Sequence, residues 1–128
     1  MNNAACILGL FYGVSGVKPA KFGKESLTMD IANLQDNASK ASELLKAMAN
    51  QSRLMILCNL VEGEKSVQQL QGHVGLSQSA LSQQLAILRG QGLVSNRREA
   101  QSVFYSLASE EAETLIGTLY ELYCRTDD

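Results

Sequence analysis

From Leu34 onward the apolar positions fall into helical steps: Leu34, Ala38, Ala41, Leu45 and Met48 are spaced by 4, 3, 4 and 3. A stripe this narrow predicts a helix whose seam meets another helix rather than the centre of a core. The next segment, QSRLMILCNLVEG at 51–63, is apolar almost all round: Leu54, Met55, Ile56, Leu57, Cys58, Leu60 and Val61. It predicts a second, buried helix capped by Asn50 and ended by Gly63. Ser66 followed by Gln69 makes a capping box for a short third helix, VQQLQGHV, which Gly75 breaks. Ser77 is placed to cap a fourth helix running to about Arg89. After GQG the period becomes alternating: LVSNRR and SVFYSL flank EAQ, predicting an antiparallel hairpin with a basic, polar tip. Ser109, followed by Glu110 and Glu111, starts a last helix with acid at its positive end. The expected stripe of that helix is Ala112, Leu115, Ile116, Leu119 and Tyr123. The predicted fold is mostly α with a small β-hairpin, in the order ααααββα.

Residues 1–30 stand apart from this pattern. They hold the only proline, Pro19, and four of the ten glycines, and they show no clean periodicity. They read as a leader, either disordered or the product of an upstream start with Met29 as the alternative, ahead of a domain over 31–126. The stretch ACILGLFYGVSGV at 5–17 has the length of a signal-peptide core but lacks a basic segment before it and a small-residue cleavage site after it. No apolar run reaches the roughly 18 residues of a membrane span, so the expected location is cytoplasmic, with no membrane partner.

The fourth helix carries an unusual face. On a 100° wheel Leu81, Leu85 and Leu88 lie together, with Ser79, Ser82, Gln83 and Ala86 opposite and Gln78 and Arg89 on one flank. Gln84 falls nearer the buried side. Solvated faces favour Glu and Lys, whereas Ser is a poorer helix former. A short helix, a glycine turn and a second helix with neutral hydrogen-bonding groups outward is the helix-turn-helix layout. Major-groove base edges offer donors and acceptors; Gln suits adenine and Ser contacts either kind of edge. Ser77, Gln78, Ser79, Ser82 and Gln83 are thus candidate base or backbone contacts. Arg89, with Arg97 and Arg98 on a hairpin acting as a wing, would hold phosphates. The charge distribution agrees: residues 65–105 hold four basic groups against one acid, a balance of +3, whereas 106–128 carry −5 within an overall charge of −2.

The stretches LLKAMANQSRLMIL, LSQSALSQQLAILRGQGLVSNRREAQSVFYSL and ETLIGTLYELYC resemble the ArsR/SmtB family of bacterial winged-helix repressors from about Ala32 to Cys124. The likeness is strongest to its thiol-based branch, which includes HlyU-, BigR- and SqrR-type regulators. It implies a winged helix-turn-helix homodimer, joined through the first and last helices and bound to double-stranded DNA at an inverted-repeat operator.

Many members of that family sense metals. Here the third helix has no cysteine, the last has no histidine, and the one histidine, His73, sits at the helix-turn-helix bend. No metal site and no cofactor are expected, since a closed site needs three or four such ligands. Of three cysteines, too few and scattered for a disulfide-stapled scaffold, Cys6 lies in the leader and has no assigned role. By its place in the stripe Leu54, Leu57, Cys58 and Val61, Cys58 alone reads first as a small core residue, and Cys124 ends the last helix off its main stripe. The resemblance implies that Cys58 and Cys124 form a redox-sensing pair, joined by oxidants as a disulfide or by reactive sulfur species through additional sulfur. Two other readings remain: a regulator of this fold with inert cysteines, acting as a constitutive repressor or an anti-silencer, and a thiol oxidoreductase. The latter lacks a Cys-x-x-Cys pair, and no catalytic residues are expected.

Overall fold

Among the described residues, apolar side chains at helical spacing build five helices, four of them around a central one, and two alternating runs with a short extended link build a sheet beside them. The computed structural model describes residues 31–125. In chain order the elements are α1 (Ile31–Met48), α2 (Gln51–Val61), β1 (Lys65–Ser66), α3 (Val67–Val74), α4 (Gln78–Gly90), β2 (Val94–Glu99), β3 (Ser102–Leu107) and α5 (Glu110–Tyr123). The expectations for 1–30, with Cys6 and both start sites, lie outside the described residues.

Each predicted cap is made. Asn50 Oδ1 accepts from Arg53 N at 3.0 Å, Ser77 Oγ from Ala80 N at 3.2 Å, and Ser109 Oγ from Ala112 N at 3.0 Å. At the head of α3 the capping box is reciprocal: Gln69 N donates to Ser66 Oγ (3.1 Å) and Ser66 N donates to Gln69 Oε1 (2.8 Å). Gly75 closes α3 at φ +79°, the left-handed region that favours glycine. Ser66→Ala should cost about 1 kcal/mol of folding stability, read as a lower urea midpoint at unchanged slope.

The core agrees with the predicted centre. Ile56, Leu57 and Leu60 of α2 are buried among Leu70, Leu81, Leu85, Leu88, Leu93, Val94, Ala112 and Ile116. The one buried polar residue among those described, Asn59, satisfies itself within the helix by donating from Nδ2 to Met55 O at 2.8 Å.

Three details depart from the sequence reading. First, the sheet has three antiparallel strands in the order β1-β3-β2, because Lys65 and Ser66 pair with Tyr105 and Phe104. Two residues carry no alternation to read. Ser66 is extended because it is the α3 N-cap, and that same extended backbone meets β3. Second, the inward ridge of α5 is Ala112, Ile116, half-buried Tyr120 and Cys124, four residues apart. Tyr123, expected on the stripe, is 76% exposed, whereas Cys124, expected off it, is 3% exposed. A row of four-residue steps winds slowly round the helix, so mixed three- and four-residue steps track the wrong side by its last turn. Third, the α1 stripe divides: Met48 joins this domain's own core, while Leu34 and Leu45 remain 52% and 55% exposed.

Candidate nucleic-acid interface

Three leucines hold α4 by one side. Leu81, Leu85 and Leu88 are fully buried, and this leaves Ser79, Ser82, Gln83 and Ala86 exposed opposite, with Gln78 and Arg89 exposed on the flank. Ser77 lies at the start of this surface, but its hydroxyl also caps the helix and sits 3.4 Å from Ser79 Oγ. Gln84 is half-buried and turned inward, its Oε1 accepting from Arg53 Nη1 at 2.9 Å.

The flank of α4 and the hairpin share a concavity. A cleft of about 370 Å³ has Gln78, Ser82, Ala86 and Arg89 on one wall and Gln101, Ser102, Val103 and Tyr105 on the other. The polar helix face and the wing therefore open to the same side of the molecule.

Strand register separates the two wing arginines. Arg98 pairs with Val103 and Asn96 with Tyr105, so Arg98 lies on the sheet face that carries the cleft-lining Val103 and Tyr105. Arg97 pairs with Phe104 and lies on the other face. There it forms a fork to Glu64, with Nε to Oε2 and Nη2 to Oε1 both 2.8 Å, and donates from Nη1 to Glu99 at 2.7 Å. Its guanidinium also stacks 4.7 Å from the centre of the Phe104 ring. The hydrogen bonds from Arg97 hold the Glu64 carboxyl below its usual range, so the fork is intact at neutral pH and releases only as Glu64 protonates in acid. Arg89 and Arg98 have no ion-pair partner among the described residues. Glu64 lies one residue outside the basic window read from the sequence, and only the sheet brings it to Arg97.

Both described cysteines are buried. Cys58 and Cys124 are each 3% exposed and both are free thiols. Burial pushes the Cys58 thiol up, and the charge of nearby Cys124 raises it further, to about 12. Burial also raises Cys124. Both are therefore protonated at neutral pH. Among the described residues no group of three or more His, Cys, Asp or Glu is arranged to hold a metal, and no helix is long and apolar enough to cross a membrane.

Comparison with known proteins places this architecture. Residues 50–96, from the α2 cap to the middle of β2, match the model of the bacterial regulatory protein, arsR family. The chain is 52% identical over 99 residues to the transcriptional activator HlyU of Vibrio cholerae, covering 77% of this chain and 92% of that protein. It is 38% identical over 111 residues to the biofilm growth-associated repressor of Agrobacterium fabrum, covering 87% and 92% respectively. Among solved structures, reduced HlyU from Vibrio cholerae superposes with a TM-score of 0.71 at 53% identity, over 74% of this chain and all of that one. The transcriptional repressor BigR from Xylella fastidiosa gives 0.70 at 39% identity, over 77% and 100%. With this fold and this degree of identity, the chain belongs to the ArsR family of bacterial regulatory proteins.

Proposed function

We propose that the protein is a sequence-specific, DNA-binding transcriptional regulator that acts as a homodimer on an inverted-repeat operator and is switched by its cysteine pair. The observation that carries the DNA reading is the outer face of α4: neutral Ser and Gln side chains on a leucine-anchored helix, flanked by unpaired Arg89 and Arg98. Neutral groups suit base edges, and cations suit phosphates. Ser79, Ser82 and Gln83 are the base-reading candidates, with Ser77 and Gln78 at the helix start. Arg89 and Arg98 take phosphates, and Arg97, committed to Glu64 and Glu99, serves the wing's geometry more than the DNA charge.

The test is a titration on the DNA upstream of the protein's own gene against a random duplex, at several fixed salt concentrations. Gln83→Ala should cost about 1–3 kcal/mol on the operator and little on random DNA. Arg98→Ala should weaken both and lower the salt slope by about one. Equal losses on both duplexes for both variants would defeat this division of roles.

The thiol reading rests on the placement of Cys58 on the central helix and Cys124 at the end of α5, close enough to feel each other's charge. Of the two, Cys124 has burial alone against it and is the better first nucleophile. With a small-molecule persulfide, the Cys124 thiolate attacks the outer sulfur and releases the parent thiol, leaving a persulfide on Cys124. The Cys58 thiol then displaces hydrogen sulfide from it to form a disulfide. If Cys58 also gains a sulfur first, the two persulfides condense to a trisulfide with loss of hydrogen sulfide. Either link ties α2, which packs under α4, to α5.

A second reading has specific support: both cysteines are buried and burial pushes both thiols up, as in inert core cysteines. The same DNA-binding machinery with inert cysteines would then act as a constitutive repressor, or as an anti-silencer that displaces another DNA-coating protein. Binding that ignores the redox state would favour it.

A further inference from the structure

The C-terminal carbonyls of α1 are finished by a side chain from the next helix. Ala49 N bonds to Leu45 O and Asn50 N to Met48 O, which leaves Lys46 O and Ala47 O without a backbone partner. Arg53 supplies both, from Nε to Ala47 O at 2.6 Å and from Nη2 to Lys46 O at 3.3 Å. The remaining nitrogen of the same planar group, Nη1, donates to Gln84 Oε1 at 2.9 Å. Residues 53 and 84 are 31 apart in sequence. One guanidinium therefore joins the end of α1, the start of α2 and the middle of α4.

We propose that Arg53 is a positioning residue for DNA reading: through Gln84 it fixes the rotation of α4 about its own axis relative to α1. This deepens the DNA-binding reading and rests on it. Leu81, Leu85 and Leu88 hold α4 against the core, but apolar packing has no direction and tolerates rolling and sliding. A charge-assisted hydrogen bond is directional. The side-chain tips of a helix stand about 5–6 Å from its axis, so a roll of roughly 20° moves them about 2 Å. That is enough to break the Arg53–Gln84 bond and equally enough to take Gln83, one residue away on the reading face, out of hydrogen-bond reach of a base edge. Because the anchor at the other end is α1, the helix whose exposed stripe would carry the twofold partner, the same bond also sets the separation of the two reading helices in a dimer.

The test compares Arg53→Lys, Gln84→Ala and Gln84→Glu with the parent in the full-length chain. Lysine keeps the charge but loses the planar three-way fork; Gln84→Glu keeps an acceptor for Arg53. Titrations use the operator, the operator with its half-sites moved apart by one base pair, and a random duplex. Arg53→Lys and Gln84→Ala should each lose about tenfold on the operator, about 1.4 kcal/mol, with affinity for random DNA unchanged. The penalty for the altered spacing should shrink in both, and Gln84→Glu should recover the parent's spacing preference. Hydrogen exchange without DNA gives a separate readout: α4 amides should exchange faster in both variants while α3 amides do not change. Unchanged α4 exchange together with an unchanged spacing preference would overturn the proposal. So would a loss in Gln84→Ala that Arg53→Lys does not share, since Gln84 would then be touching DNA itself. A parent that does not prefer its upstream DNA would defeat the DNA reading instead, and the exchange experiment would still decide whether Arg53 holds α4.

Discussion

A protein carrying both Leu34→Glu and Leu45→Glu is expected to sediment as a monomer and to lose about a hundredfold or more in operator affinity, about 2.7 kcal/mol. In the single chain Leu34 and Leu45 lie more than half exposed on one stripe of α1, with exposed Ala38 and Ala41 between them. On α5, Leu122 and Tyr123 are likewise 68% and 76% exposed. The exposed stripe on α1 and the adjacent exposed pair at the end of α5 fit a surface that a second copy covers. Each leucine lost from such a seam removes about 1.5–3 kcal/mol of burial per protomer, and a carboxylate in its place must be desolvated without a partner. The operator consequence is larger than any single contact, because a dimer places its second reading helix at high effective concentration, a gain of about 10²–10⁴. The side chains lie outside the chain's own core, so circular dichroism should show an unchanged helix content. Sedimentation velocity and the operator titration together check the expectation; a variant that stays dimeric and binds normally would move the seam elsewhere.

The second large effect is redox. Treating the reduced protein with polysulfide should lower operator affinity by about tenfold or more, about 1.4 kcal/mol, and dithiothreitol should restore it. Neither Cys58→Ser nor Cys124→Ser should respond. Mass spectrometry should find the two joined directly or through added sulfur in the treated parent. A single-serine variant that keeps its full response would rule out the pair as the sensor. Equal binding by reduced and treated parent would leave a DNA-binding protein with ordinary core cysteines. The buried thiols also set a pH dependence. Because folding raises the Cys58 thiol from its ordinary 9.0 to about 12, the unfolded chain gives up that proton first. Stability should therefore be indifferent to this group at neutral pH and fall as the pH rises from about 9 toward 12. Alkylation of the native protein at neutral pH should be slow for the same reason, since the thiolate is the reacting species.

Local physics made much of this protein legible from the chain. The four caps at Asn50, Ser66, Ser77 and Ser109 are decided by side chains within three residues of the backbone groups they satisfy. The leucine row of α4 and its neutral opposite face follow from a 100° step and the cost of leaving leucine in water. The central place of α2 follows from its having no polar side to present to solvent. All of these are consequences of short-range geometry or of composition, and a single sequence contains both.

What remained hidden depends on which segments meet. Arg97 and Arg98 are neighbours with the same charge, and only the pairing of β2 with β3 sends one toward the cleft and the other to Glu64, 33 residues earlier. The exchange of Tyr123 and Cys124 between exposed and buried positions depends on the ridge by which α5 docks, which one helix cannot specify alone. Gln84 could be assigned to the inner side by its position on the wheel, but its tie to Arg53 and to the end of α1 exists only because three helices converge on one guanidinium. Periodicity and capping are properties of a segment, so the sequence by itself determined the five described helices, the hairpin, the helix caps and the face of α4 that looks outward. Register, docking ridge and long-range ion pairs are properties of pairs of segments, and those only the tertiary structure decided.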